Sequence, residues 1–142
     1  MDKKKDLAEK LRSSGLRPTK QRLRLAEYLF NRSKTFHFTV ENLDKVINKK
    51  GSEEKVALAT IYNTIRSFKK AGHLKEILLR EGRSYFDTNT TSHHHFYDEA
   101  NNELTDIDTN KIELKKFPTP PKGKSIKDVN VIINIDNDNQ NH

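Results

Sequence analysis

At Gly72 the apolar residues of this chain change their period, and that change confines what the chain can fold into. Before it, Leu58, Ile61, Ile65 and Phe68 recur at helical spacing, and three earlier stretches repeat the pattern. After it, Leu74, Glu76 and Leu78 alternate with Lys75, Ile77 and Leu79. Glu81-Gly82 then turns the chain and Ser84–Asp87 runs back, a β-hairpin with Arg80 and Arg83 at its tip. Helices followed by a basic-tipped hairpin predict a winged helix-turn-helix, whose last helix enters the major groove of DNA.

That last helix is expected over Val56–Gly72, with Lys69, Lys70 and Gly72 as its stop signals. Opposite its apolar stripe lie Ala59, Thr60, Asn63, Arg66, Ser67 and Lys70. Small residues there allow close approach, Asn63 suits an adenine edge and Arg66 suits guanine. Upstream, a short helix ends at Gly15. Thr19 caps a second with Leu23, Ala26, Leu29 and Phe30 inward, and Thr39 caps a third with Leu43, Val46 and Ile47 inward. Arg17, Lys20 and Arg22 gather where the second helix begins, a place that accepts phosphate.

Charge divides the chain at the same point. Residues 1–88 hold 21 Lys/Arg against 11 Asp/Glu, and residues 89–142 hold 6 against 9. A basic front and an acidic rear point to a polyanion as partner of the front alone. We therefore expect a DNA-binding domain at 1–88, a polar hinge at 89–92, a β-rich domain at 93–135 and a disordered tail at 136–142. In the rear domain His93–Asp98 and Glu103–Asp108 read as paired strands, Lys111–Lys115 as a third extended piece, and Val129–Ile135 as the most β-prone run. So few elements cannot cover both faces of a sheet, which implies a symmetric dimer. With no cysteine, disulfides, thiolate nucleophiles and cysteine zinc sites are excluded. No apolar run is long enough to span a membrane and no secretory leader is evident, so a cytoplasmic location is expected. Gly123-Lys124-Ser125 lacks the earlier glycine of a phosphate-binding loop, since position 118 is proline.

His93-His94-His95 carries the chemistry. On a strand His93 and His95 share one side, about 6.5–7 Å apart, and His94 faces the other. With Glu99–Asn102 as the turn, His95 falls opposite Asp106 on the same face. Two imidazoles and a carboxylate make a first-row metal site, and Asp87 at the end of the hairpin can add a second carboxylate. Such donors suit Fe²⁺, Mn²⁺ and Zn²⁺ nearly alike.

The stretches GLRPTKQR, HFTVENL, ALATIYNTIRSFKKAGHL, EGRSYFD and HHHFYDEANNELTDI resemble the ferric uptake regulator (Fur) family over roughly residues 10–135. HHHFY followed by NELTDI is most similar to its iron response regulator (Irr) branch, whose members resemble iron- or haem-responsive transcription factors. The resemblance implies an α+β fold, with an N-terminal winged helix-turn-helix and a C-terminal α/β dimerisation domain. It implies a homodimer bound to operator DNA, and a regulatory ion at His37, Asp87, His93, His95 and Asp106, residues placed on both sides of the hinge. Arg17 and Tyr62 match residues that touch the duplex, joining Lys20, Thr60, Asn63 and Arg66 as expected contacts.

There are departures from the family pattern. The usual Cys-x-x-Cys is Asp98 and Asn101 here, and the proline segment replaces a long C-terminal helix. A second metal or haem site is left with His94 and Glu113 alone, and the cysteine-proline haem motif is missing, so haem would have to use the histidines. The resulting expectation is a regulator of iron homeostasis that responds to bound iron or haem, with a peroxide-sensing repressor at the same site as the alternative. A metalloenzyme is set aside because there is no HExxH helix and no evident general base.

Overall fold

Thr19 and Thr39 both cap helices in the computed structural model, which describes residues 3–52 and 54–138. Each hydroxyl accepts from the backbone N–H three residues on, Arg22 and Asn42 respectively. The chain divides into two compact units, Met1–Thr90 and Thr91–His142. The fold is α+β, and each unit has its own three-stranded sheet.

The first unit begins with helices α1 (Lys3–Ser13) and α2 (Lys20–Phe30), then strand β1 (His37–Phe38). Helices α3 (Val40–Ile47) and α4 (Leu58–Lys70) follow, then strands β2 (Lys75–Leu78) and β3 (Ser84–Asp87). Strand β3 is central, with β1 and β2 antiparallel on either side. The β1 strand is a finding; the sequence reading placed Phe36-His37-Phe38 only before a helix. Leu11, Leu25, Leu29, Ile61, Ile65 and Phe68 form the heart of the core.

Three details of the helix stripes differ from expectation. Leu58 is 47% exposed although it continues the α4 stripe, because it opens the helix and Val56 reaches the core from the preceding loop. Val46 is 43% exposed, since at 100° per residue it lies about 90° from the centre of the buried Val40, Leu43 and Ile47. In α2 the buried set is Leu25, Ala26 and Leu29, while Leu23 and Phe30 are half-buried.

Several contacts fix how α4 is presented. Asn48 donates to the Val56 carbonyl at 2.8 Å and accepts from its N–H at 2.7 Å, bracing the loop that leads into the helix. Arg24 donates to the carbonyls of Ile47 and Glu54. At the far end Gly72, at φ +89°, closes a Schellman motif in which Gly72 N bonds Lys69 O and His73 N bonds Phe68 O. Lys69 and Ser84 both bond Glu76, each at 2.6 Å, tying α4 to the hairpin. The Lys69 bond, followed by that of Ser84, holds the Glu76 carboxyl below the usual carboxylate range. At the hairpin tip Glu81 and Gly82 both take positive φ.

The second unit contains β4 (His94–Asp98), β5 (Glu103–Ile107) and β6 (Ile132–Ile135). Strand β4 is central, antiparallel to β5 and parallel to β6. Lys111–Lys115 is not a strand: a short 3₁₀ turn at Thr109–Lys111 precedes an irregular, proline-bearing stretch. Of the expected run Val129–Ile135 only Ile132–Ile135 pairs. Positions 139–142 of the expected tail lie outside the described residues. No described helix is long and apolar enough to cross a membrane.

Replacing Ile61, fully buried, with Ala should cost about 2–5 kcal/mol. Replacing the exposed Leu58 should stay within about 0.5 kcal/mol; urea midpoints of the two variants compare them directly. A pH effect follows from His73, whose Nε2 lies 2.7 Å from Ser14 Oγ while its ring packs on Phe30 and Phe68. Burial first, and Lys10 second, lower its pKa from the ordinary 6.5. The unfolded chain therefore binds more protons between the two values. His73's contribution is present above pH 6.5 and lost as pH falls through the folded pKa. His73→Gln should flatten that part of the stability profile.

Candidate metal centre and duplex-facing helix

Strand pairing sets the geometry of the histidine cluster. His95 stands directly opposite Asp106 in the β4–β5 ladder, and His93 precedes it by two residues. The His93 and His95 ring centroids are 4.5 Å apart, and both residues are buried. Their Nε2 atoms lie 3.3 and 3.2 Å from the same Asp106 Oδ1. One donor atom from each of the three residues lies within 4.8 Å of the others.

The neighbours of the His93 ring indicate what this cluster can hold. His93 Nδ1 is 2.8 Å from the Thr91 carbonyl oxygen, which can only accept, so Nδ1 carries the proton. In the neutral ring the Nε2 lone pair then points at a carboxylate oxygen, itself a lone-pair donor. Such a meeting is unfavourable until a proton or a cation lies between the atoms, and a divalent ion with N/O ligands fits it. The chemistry of the donors thus suits the metal that the sequence pattern implies.

The other expected ligands lie on other elements. His37 and Asp87 are in the first unit, opposite each other in the β1–β3 ladder. Asp87 is buried and accepts from Asn89 N at 2.8 Å, and the His37 ring meets Tyr85 edge-on at 6.0 Å. His94 points to the opposite side of β4 from its neighbours, where its Nδ1 accepts from Val131 N at 3.1 Å. Glu113 is exposed. Among the described residues His94 and Glu113 join no group of three metal-ligating side chains. Where Cys-x-x-Cys was missing, Asp98 instead closes a turn by accepting from Ala100 N, Asn101 N and Asn101 Nδ2. The Asn101 side chain, then its N–H, are the leading causes that hold the Asp98 carboxyl below its usual range. Sequence reasoning missed the Thr91 carbonyl that sets the His93 tautomer, because a backbone acceptor leaves no mark in residue identity.

All the expected duplex contacts lie in the first unit. Asn63 and Arg66 are exposed on α4, Tyr62 is 37% exposed and Thr60 is half-buried. Arg17 is exposed in the loop before α2, where its carbonyl accepts from Arg22 Nη1. Lys20 opens α2, and its Nζ is 3.8 Å from Glu54 in a pair so exposed that water screens it.

The model of the ferric uptake regulator family matches residues 13–134. The chain is 32% identical over 103 residues to the peroxide operon regulator of Bacillus subtilis (strain 168), covering 72% of this chain and 68% of that one. It is 34% identical over 97 residues to the peroxide-responsive repressor PerR of Staphylococcus epidermidis (strain ATCC 12228 / FDA PCI 1200), covering 68% of this chain and 62% of that one. It thus spans about two thirds of the length of these relatives. In fold it is similar to the Vibrio cholerae ferric uptake regulator, at TM-score 0.68 and 20% identity, covering 91% of this chain and 98% of that one. The Pseudomonas aeruginosa ferric uptake regulator, solved with manganese, also has TM-score 0.68, at 21% identity over 92% and 97% of the two chains.

His95→Ala should lower Mn²⁺ affinity by at least about 100-fold. Replacing Glu113 with Ala should leave it within about threefold, since that exposed side chain joins no ligand group among the described residues. Isothermal titration of the two variants makes the comparison.

Proposed function

Because the chain belongs to the ferric uptake regulator family, we propose that it is a DNA-binding transcription regulator controlled by a divalent ion at His93, His95 and Asp106. The observation that carries this reading is the meeting of two imidazole nitrogens on one carboxylate oxygen. The duplex is read by α4 through Thr60, Tyr62, Asn63 and Arg66, with Arg17 and Lys20 on phosphates. Two copies pair through the second unit, where Phe117, Ile133 and Ile135 expose apolar surface at 51%, 38% and 38%.

The effector is a small ion rather than haem. Two imidazoles converging on one oxygen fit a point charge, whereas a macrocycle needs an open planar slot between its ligands. Both relatives named above are peroxide regulators, which favours a peroxide-responsive regulator over one of iron homeostasis or of the iron response regulator branch. Ferrous iron, when bound, supplies the reductant for peroxide. The ligating imidazoles are the side chains exposed to that oxidant, since the chain has no cysteine.

Protein loaded anaerobically with Fe²⁺ should lose duplex binding after one equivalent of peroxide. Its peptides bearing His37, His93 or His95 should gain the mass of one oxygen, while Mn²⁺-loaded protein stays unmodified and bound. Ion-dependent binding without any peroxide modification would favour the iron-homeostasis reading. Duplex affinity indifferent to Fe²⁺ and Mn²⁺ would end the metal-sensing reading altogether.

A further inference from the structure

Tyr62 stands on the outward face of α4, and its hydroxyl donates a 2.9 Å hydrogen bond to Oε1 of Glu41. The carboxylate can only accept, so the phenol proton is committed to this bond. Glu41 lies in the first turn of α3, 21 residues away in sequence. Arg66, one helical turn beyond Tyr62, acts on the same hydroxyl: it lowers the Tyr62 pKa while the Glu41 bond, the larger effect, raises it. An acid, a phenol and a guanidinium therefore share one patch of the face proposed to meet DNA. The acid is the anomaly, because a carboxylate there repels phosphates and weakens binding to any duplex.

We propose that Glu41 is a specificity-determining positioning residue: it holds Tyr62 on the outward face of α4 with its proton spent, so the hydroxyl oxygen meets the duplex only as an acceptor. An acceptor can bond the exocyclic amino groups of adenine and cytosine in the major groove, and it has nothing to offer guanine O6 or thymine O4. A free phenol could donate to those carbonyls or to any phosphate, which carries no sequence information. The Glu41 charge lowers affinity for every duplex alike, so the preference rests on the Tyr62 hydroxyl. This inference rests on α4 being the duplex-facing helix.

The test uses the full Mn²⁺-loaded chain as wild type, Glu41→Ala, Glu41→Gln, Tyr62→Phe and the Glu41→Ala/Tyr62→Phe double variant. Affinities are measured for a duplex enriched by the wild type from a random pool and for a scrambled duplex of equal composition. Glu41→Ala should bind the scrambled duplex about three- to tenfold more tightly, and its preference for the enriched duplex should fall at least about fivefold. Glu41→Gln, whose amide oxygen still accepts from Tyr62, should bind both more tightly and keep the preference within about twofold. Without the Tyr62 hydroxyl, Glu41→Ala should no longer change the preference. An unchanged preference in Glu41→Ala, or an equal fall in the Tyr62→Phe background, overturns the proposal. An ultraviolet titration without DNA gives a separate readout: Tyr62 ionisation should move down toward 10.0 in Glu41→Ala. If it does not move, the contact is not held in solution and the proposal falls. If the wild type enriches no duplex while the titration shifts, it is the DNA-binding reading that has failed, and the role of Glu41 on DNA goes with it.

Discussion

Two imidazole nitrogens facing one carboxylate oxygen are the constraint around which the second unit is arranged. Asp106 Oδ1 receives two imidazole nitrogens, and the register that brings them there leaves no freedom to slide. A slip of one residue between β4 and β5 would turn His94 toward Asp106 and His93 and His95 away from it. Bonds on the other side of β4 resist that slip. The Val131 carbonyl accepts from His95 N at 3.1 Å, and Val131 N donates to His94 Nδ1. Three successive histidines thus do two jobs: the outer pair faces Asp106 and the middle one joins β4 to the chain entering β6.

The first unit solves a different problem, that of presenting one helix face rigidly while leaving it bare. Helix α4 has no side-chain N-cap, so its start is fixed from outside by the reciprocal Asn48–Val56 bonds and by Arg24. Its end is fixed by the Gly72 motif and by the Lys69–Glu76–Ser84 contacts. Between those ends Ile61, Thr64, Ile65 and Phe68 anchor the inner side. Backbone and buried groups hold the helix, and polar side chains on the outer face stay available for recognition. Preorganisation of this kind keeps the ordering cost out of the binding step.

What could be read from residue order was whatever depends on local period and local capping. Thr19, Thr39 and Gly72 act in the fold as their residue types predict, because capping involves neighbours within a turn. The His95–Asp106 pairing was legible because a short turn fixes a hairpin register by counting. Leu58 and Val46 were misjudged where a stripe reaches its end or rim, since period alone does not show where neighbouring elements stop. The β1–β3 pairing, the bond between Glu41 and Tyr62 and the Thr91 carbonyl at His93 depend on distant residues or on backbone atoms, and no spacing rule reports those. His94 shows the converse, for a histidine next to candidate ligands can have its ring nitrogen bonded by a backbone N–H.

The size of the proposed ion's effect can be set against the core of the second unit. Tyr97, Leu104 and Ile107 are the buried apolar side chains of the second unit among the described residues, so its hydrophobic core is thin. Burial of one such side chain contributes about 1.5–3 kcal/mol. An ion present at a hundred times its dissociation constant contributes about 2.7 kcal/mol, the order of one further core residue. In a unit with so few, that addition would be a substantial part of what holds β4 and β5 in register. Yet reversing a two-state balance from 1:99 to 99:1 takes about 5.5 kcal/mol, roughly twice what one such ion provides. In the proposed dimer two equivalent sites act on one assembly, and together they reach that magnitude. Pairing would then do more than cover exposed isoleucines: it would turn a graded response in one chain into a switch shared by two.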